Sequence, residues 1–280
     1  MEFQKPVSEL IKIRKSYRSY NGRDIESATR QKLEDYIVKI NTETKIKVRF
    51  VLTTNQSVSG ETKKLGTYGV ISGARSFIVG ILNKDEKDAV EFGYLFEKIV
   101  LFATDLGLQT CWLGGSFNRR DFKRNINLAE DEFIPIVSPV GYNQEKPSII
   151  ESVMRAVAGA DNRKLWNQLF FKDNNLVPLD ENSSGSYAVP LEMARLAPSA
   201  SNKQPWRIIK IDNEFHFFLC RTKVYGVTFY DMQRNDIGIA KCHFELTAIE
   251  LGLKGRWLEM KNINTPVGWE YIVTWSTSDN

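Results

Sequence analysis

The sequence predicts an α+β chain made of two similar halves, and two observations carry that expectation. Amphipathic helix patterns alternate with β-rich runs along all 280 residues, and the later part of the chain repeats the earlier part. Ala103-Thr104-Asp105-Leu106-Gly107-Leu108, followed by Trp112-Leu113, matches Ala248-Ile249-Glu250-Leu251-Gly252-Leu253, followed by Trp257-Leu258. Each pair stands 145 residues apart, as do Gly93 and Gly238. Upstream, Leu33-Glu34 matches Leu191-Glu192 and Arg49 matches Arg207, at a constant spacing of 158. The shared helix–loop–strand order and the shared tryptophan favour duplication over a chance likeness of two amphipathic helices. Two copies are too few for a solenoid. A duplicated unit of this size rather mimics a symmetric dimer within one chain.

The elements follow in order. Pro6 to Lys15 reads as a short helix with Val7, Leu10 and Ile11 at helical spacing, broken by Asn21-Gly22. A second helix spans Ser27 to Ile40, with Leu33, Ile37 and Ile40 on one face. Val48 to Leu52 is β-rich; a polar loop through Gly60 and Gly66 leads to a strand at Ser76 to Leu82. Phe92 to Leu106 is a long amphipathic helix stopped by Gly107. Beyond Trp112-Leu113-Gly114-Gly115 come a basic segment and a strand at Pro135 to Tyr142, and Ser152 to Phe171 reads as helical. Lys172 to Ser186, rich in Asp, Asn and Ser, is the expected linker, dividing a half at 1–171 from one at 187–280 that packs with it as one unit. In the second half a helix from Pro190 stops at Pro198, a strand runs from Arg207 to Ile211, Phe215 to Phe218 is strand-like, and Ile237 to Leu251 is the second long helix.

Composition narrows the function. With 38 basic and 34 acidic residues the net charge is +4, both signs are interspersed, and no nucleic-acid-binding tract stands out. No apolar run approaches the roughly 18 residues of a membrane span, and the N-terminus carries no secretory pattern. Cys111, Cys220 and Cys242 are an odd count without a C-x-x-C spacing, so neither a disulfide framework nor a metal site is expected, and a cytoplasmic location fits. His216 and His243 read as structural. No Ser/His/Asp, Cys/His or paired-carboxylate constellation demands a catalytic side chain, and no Gly-x-Gly-x-x-Gly marks a dinucleotide domain.

Two segments remain that differ between the halves. Arg14-Lys15-Ser16-Tyr17-Arg18 has no counterpart in the second half. On a helix Arg14 and Arg18 share a face and Ser16 points away. All three meet one anion, through two guanidinium forks and a hydroxyl, only where the chain leaves the helix near Ser16; the alternative is a solvated basic helix end. Pro198-Ser199-Ala200-Ser201-Asn202-Lys203-Gln204-Pro205-Trp206 sets several donors and acceptors between two prolines, suiting a polar heteroaromatic edge or a polyol, or else forming an ordinary Asn/Ser turn.

Taken together, Arg-x-Ser-x-Arg, Pro-Ser-x-x-Asn-x-Gln-Pro-Trp and the Leu-Gly-Leu helix followed by Trp-x-Gly-Gly resemble the flavin-dependent nitroreductase family, in its single-chain, duplicated branch. The resemblance covers nearly the whole chain. It implies two halves, each a mainly antiparallel sheet wrapped by helices, related by a pseudo-two-fold axis. It implies one FMN, its phosphate held by Arg14, Ser16 and Arg18 with Lys15 in the same motif, and by Arg163 and Lys164. Trp112, Leu113, Gly114 and Gly115 would present backbone N–H groups to the flavin edge. Pro198, Ser199, Ser201, Asn202 and Gln204 would line the ribityl chain and pyrimidine edge, while Tyr68 and Gly69 would wall the substrate side. The flavin would take hydride from NAD(P)H and pass it to a nitroaromatic, quinone or similar small acceptor by a ping-pong mechanism. Dehalogenation, ene reduction, flavin fragmentation and non-catalytic flavin binding are the alternatives. In the second half Glu259-Met260 stands where the first has Gly114-Gly115, so one site per chain is expected; a monomer suffices, and a homodimer is possible.

Overall fold

In the computed structural model, all residues are described except 1, 55–66, 68, 87, 145–161, 174, 224, 226–229 and 278–280. The chain divides into two compact units. One comprises Met1–Lys5, Ile13–Asp88 and Leu95–Ala158; the other comprises Pro6–Lys12, Ala89–Tyr94 and Gly159–Asn280. Helices and two sheets give the α+β class that the pattern predicted.

The first unit holds α2 (Ser27–Glu43), β1 (Val48–Thr54), β2 (Ser76–Asn83), β3 (Gln109–Thr110), α4 (Arg119–Asn125) and β4 (Glu132–Gly141). Its four strands pair antiparallel in the order β1-β2-β4-β3. β2 is the central strand and is buried on both faces. Phe77, Val79 and Ile81, spaced by two, point to one side with Phe117, Phe122, Ile134 and Val137. The basic stretch of the sequence becomes α4, capped by Asn118, whose side chain accepts from Arg120 N.

The second unit holds α1 (Val7–Ile13) and a six-stranded sheet ordered β6-β5-β7-β8-β10-β9. These strands are β5 (Phe170–Lys172), β6 (Val177–Pro178), β7 (Trp206–Ile211), β8 (Glu214–Cys220), β9 (Arg256–Leu258) and β10 (Trp269–Ser276). Its helices are α5 (Trp166–Leu169), α6 (Ala188–Arg195) and α7 (Met232–Glu250). The long α3 (Ala89–Asp105) starts in this unit and ends in the first. Phe215, Phe217, Phe244, Trp257 and Trp275 form an aromatic core of tilted and edge-on rings.

The helical reading of Ser152 to Phe171 needs correction. Residues 152–161 lie outside the described residues, α5 is a single turn, and Phe170 and Phe171 belong to β5, paired parallel to β7. Pairing with a strand distant in sequence outweighs the local helical spacing. Segment 172–186 carries β6, antiparallel to β5, and a 3-10 turn at Asn182–Tyr187.

The repeat is visible in the topology. β7-β8-β10-β9 reproduces β1-β2-β4-β3 in order and direction, each set preceded by a helix and split by a long one. Leu113 bridges Val137 and Leu258 pairs Thr274, and a register shift lies just upstream in β4 and in β10 alike. Both long helices end in the same cap: Gly107 and Gly252 take positive φ, and the next residues, Leu108 and Leu253, donate to Ala103 and Ala248. At the start of α3 the likeness is reciprocal. A Cβ on Gly93 would meet Asn235 O at 2.2 Å, and a Cβ on Gly238 would meet Val90 O at 1.9 Å. These positions are again 145 apart, so the contact has the self-complementary form of a two-fold helix crossing.

Candidate active site

α1 stops at Ile13, and residues 14–20, in the first unit, run as an extended segment. Ser16 bridges Thr110 of β3, Tyr17 N donates to Thr110 O at 2.9 Å, and Ser72 N donates to Arg18 O at 2.8 Å. Extended backbone alternates its side chains, so Arg14, Ser16 and Arg18 share one side and Lys15, which is exposed, takes the other.

Arg14 is buried against Glu97 of α3, with Nε 3.6 Å from Oε1 and side-chain exposures of 5% and 0%. Glu97 Oε2 accepts the Trp112 indole N–H at 2.8 Å. One buried carboxylate thus ties the basic segment to the tryptophan that precedes the glycine pair. Arg14 Nε and Nη1 and Arg18 Nε are buried with no hydrogen-bond partner among the described residues. Leaving cationic donors dry and unbonded costs free energy unless an anion meets them.

Leu113 pairs with Val137 through both backbone bonds, at 2.9 and 3.0 Å. Gly114 O accepts from Arg119 Nη2 at 2.7 Å, and a Cβ on Gly115 would meet nothing within 4 Å. Gly69 is exposed with φ of +75°; Tyr68 lies outside the described residues.

In the second unit, Arg163, Lys164 and the loop from Ser199 to Gln204 come together. Arg163 donates from Nη1 to Asn202 Oδ1 at 2.7 Å and from Nη2 to Leu196 O at 3.1 Å. Lys164 N donates to Gln204 Oε1 at 2.8 Å, and its Nζ to Gln204 O at 3.3 Å. Gln204 N donates to Ser199 Oγ at 2.9 Å, while the Gln204 and Asn202 amides both donate to Asn162 O. The Asn202 and Gln204 side chains therefore hold the loop to residues 162–164. Pro198 and Ser201 flank that knot, Ser201 Oγ accepting from the Tyr225 hydroxyl at 2.6 Å.

Ser201, Asn202 and Gln204 have φ of +46°, +54° and +48°, the left-handed region that non-glycine residues enter at a cost. Such strain concentrates at functional loops. Burial pushes the Lys164 ammonium down to about 8, helped by the neighbouring Arg207 and Lys203 cations. Arg207 is itself lowered by burial, and its Nη1 donates to the carbonyls of Gln204 and Trp206.

Sequence reasoning missed Glu97, Asn162, Arg207, Tyr225 and Asp236, whose carboxylate accepts Ala200 N at 3.1 and 3.2 Å. The available signal was an acid on the inward face of a long amphipathic helix, as Glu97 and Asp236 both are. Both histidines are buried and structural: His216 Nδ1 meets Thr274 Oγ1 at 2.7 Å and His243 Nδ1 meets Met193 O at 3.0 Å. Among the described residues no group of three or more His, Cys, Asp or Glu could hold a metal ion, and no helix is long and apolar enough to cross a membrane.

Two halves of one topology define an α+β protein, with a buried basic segment in one unit and a strained polar loop in the other. A family model described as "Putative TM nitroreductase" matches residues 6–248, and the chain belongs to that nitroreductase family, a family of oxidoreductases. A solved structure described as a "putative nitroreductase" from Thermotoga maritima is similar at 21% identity, covering 98% of this chain and 94% of its own, with a TM-score of 0.58. It shows the shared fold. A nitroreductase family protein from Clostridium difficile 630 is 19% identical over 53% of this chain and 91% of its own, with a TM-score of 0.40. An FMN-dependent nitroreductase from Clostridium difficile R20291 is 17% identical over 51% and 92%, with a TM-score of 0.37. No protein of curated function matches the chain.

Proposed function

We propose that the chain is an FMN-dependent oxidoreductase that takes hydride from NAD(P)H and reduces nitroaromatic, quinone or similar small acceptors. The observation that carries the reading is the buried Arg14 guanidinium, two of whose nitrogens lack a hydrogen-bond partner among the described residues although Glu97 lies beside it. A phosphate supplies the missing acceptors, and Ser16 and Arg18 lie on the same side of the segment to share it. The residues present therefore fit FMN.

When bound, FMN supplies the two-electron chemistry by accepting hydride and passing it on. The chain's own part is binding and electrostatics. Arg14, Ser16 and Arg18 would hold the phosphate, to which the family resemblance also assigns Arg163 and Lys164, and exposed Lys15 would add charge at longer range. Glu97 fixes Arg14 and orients Trp112. Leu113, anchored to β4, sets Gly114 and Gly115, whose lack of a Cβ lets a planar ring approach their N–H groups. Pro198 and Ser199 to Gln204 would supply the polar wall, its loop held in shape by the Asn202 and Gln204 side chains. Tyr68 and Gly69 are assigned to the acceptor side. The halves at 1–171 and 187–280 act as one functional unit with one FMN per chain, so a monomer suffices, in the cytoplasm.

The test is purification with and without added FMN, followed by anaerobic titration with NADH or NADPH and re-oxidation by a nitroaromatic. A yellow protein bleached and then recoloured supports the reading. A protein that binds FMN but is not reduced would be a flavin-binding module, and one that takes up no flavin would end the proposal.

A further inference from the structure

Asp236 is a buried acid with an unusual position. It lies in the second turn of α7, is 2% exposed, and has no cationic partner among the described residues. Its two carboxylate oxygens lie 3.2 and 3.1 Å from a single donor, the backbone N–H of Ala200. Ala200 sits one residue before the three left-handed positions of the polar loop, between Ser199, which is extended, and Ser201, at φ of +46°.

The duplication supplies an internal comparison. The residue 145 positions earlier is Glu91, also acidic and at the corresponding place on α3. Glu91 is paired with Lys241 at 3.1 Å, an ion pair with side-chain exposures of 31% and 12%. At position 236 the acid has kept its place, has no cation, and instead binds backbone. Burial without a counter-charge costs free energy, and the same burial pushes the Asp236 carboxyl well above the usual carboxylate range, with Asp231 adding like charge. A costly group persists where it does something, and here its one visible partner is the loop.

We infer that Asp236 is a positioning residue: it anchors Ala200 N–H and thereby holds Ser201, Asn202 and Gln204 in the strained conformation that receives the cofactor. The anchor works where α7 meets the loop, whose own turn adds a bond from Lys203 N to Ala200 O at 3.2 Å. The loop's other ties, from Arg163, Lys164 and Tyr225, engage side chains or Gln204, and none fixes the backbone of Ala200. An acceptor oxygen is what this role requires, and a negative charge is not.

The inference rests on the flavin reading of the loop, so its test has one arm with flavin and one without. Asp236→Asn keeps an acceptor for Ala200 N–H; Asp236→Leu keeps approximate volume and removes it. Because Asp236→Leu also removes a buried unpaired acid, its folding should survive, as thermal unfolding would record. FMN titration followed by fluorescence should give at least tenfold weaker binding for Asp236→Leu and binding within threefold of wild type for Asp236→Asn. Hydrogen exchange of the flavin-free full chain should show the Ala200 amide protected in wild type and Asp236→Asn. It should be at least tenfold faster in Asp236→Leu, with β1 and β2 unchanged.

Equal flavin loss in both variants, or unchanged exchange at Ala200 in Asp236→Leu, overturns the inference. Should Asp236→Leu fail to fold, Asp236→Asn decides: loss of protection at Ala200 or of FMN affinity refutes it, and retention of both supports it. If wild type binds no FMN, the flavin reading fails by itself and the exchange arm alone judges the anchor.

Discussion

Replacing Arg14 by Ala perturbs two things at once, and the structure separates them. The Arg14 side chain is 5% exposed and faces a Glu97 carboxylate that is 0% exposed. Removing only the arginine strands a buried carboxylate, and breaking such a pair costs about 3–5 kcal/mol of stability. A fall in flavin binding by Arg14→Ala alone would therefore be ambiguous. In an Asp/Glu-neutralised background it is not: Glu97→Gln keeps an acceptor for the Trp112 indole N–H and removes the stranded charge. The comparison that matters is Glu97→Gln against Glu97→Gln with Arg14→Ala. The second protein lacks a charge-assisted contact to phosphate worth about 1.5–3 kcal/mol, which is about 10- to 150-fold in dissociation constant. Flavin titration by fluorescence quenching reads it directly, with thermal unfolding run alongside to confirm that both proteins are folded. A difference below twofold would mean that the buried guanidinium serves only Glu97 and that no phosphate meets it.

Three further outcomes are expected. Lys164 titrates near 8 in the folded chain, below the 10.5 of an ordinary lysine; between these values the unfolded chain binds more protons, so stability should rise with pH there, the burial cost being complete below about 8. If the ammonium faces the phosphate, FMN affinity should fall as pH rises through about 8, a trend that Lys164→Met abolishes and that a flat profile in the wild type would contradict. Gly238→Ala, whose Cβ would lie 1.9 Å from Val90 O, should cost about 2–3 kcal/mol through overpacking and lower Tm by ~5–10 °C, whereas Gly115→Ala enters open space and should leave Tm unchanged while weakening FMN. Flavin released per mole of protein, with mass by light scattering, should give one FMN on a single chain; two per chain would refute the asymmetric reading, since Met260 N, at the position of Gly115 N, already donates to the Tyr271 hydroxyl at 3.1 Å.

The long elements were legible because their signals are local and repeated. α2, β1, β2, α3 and β4 begin and end within a few residues of the apolar periodicity, and Gly107 stops α3 as a helix-ending glycine does. The three polar motifs were legible as residues but not as geometry. That Arg14 leaves the helix is decided by its burial against Glu97 and by the Thr110 bridge, neither of which is near in sequence. The start of α7 was placed at Ile237, yet the helix begins at Met232 behind an Asp231 cap. Gln233, Asn235 and Asp236 look like surface residues in the sequence and are buried, because Gln233 binds Thr222 and Tyr225, Asn235 accepts from Tyr230, and Asp236 holds Ala200. β10 is aromatic and β-branched yet its pairing with β8 has no local signal, and the three-residue β9 forms on the edge that β10 supplies. The left-handed run at Ser201, Asn202 and Gln204 has no sequence signature beyond its Asn and Ser content.

The two halves keep one backbone and diverge in chemistry, and the positions of divergence form a pattern. The pair Val79–Val137 across β2 and β4 is His216–Thr274 across β8 and β10. Phe96, packed against Trp112 at 4.6 Å between ring centroids, gives way to Lys241 over Trp257 at 5.3 Å. Trp112 donates to Glu97, and Trp257 donates to Glu245 at 2.9 Å from a different turn of its helix. The tryptophan–carboxylate bond is thus retained in each copy, while the ring meets Phe96 in the first and Lys241 in the second. In a homodimer every substitution appears twice, so a change that suits one site is imposed on its twin. Joining the copies in one chain removes that constraint. It lets Glu97 face an arginine and Glu245 face none, and it lets the acid at 91 pair with a lysine while the acid at 236 holds a loop. Covalent duplication therefore permits the asymmetry on which the proposed single flavin site rests.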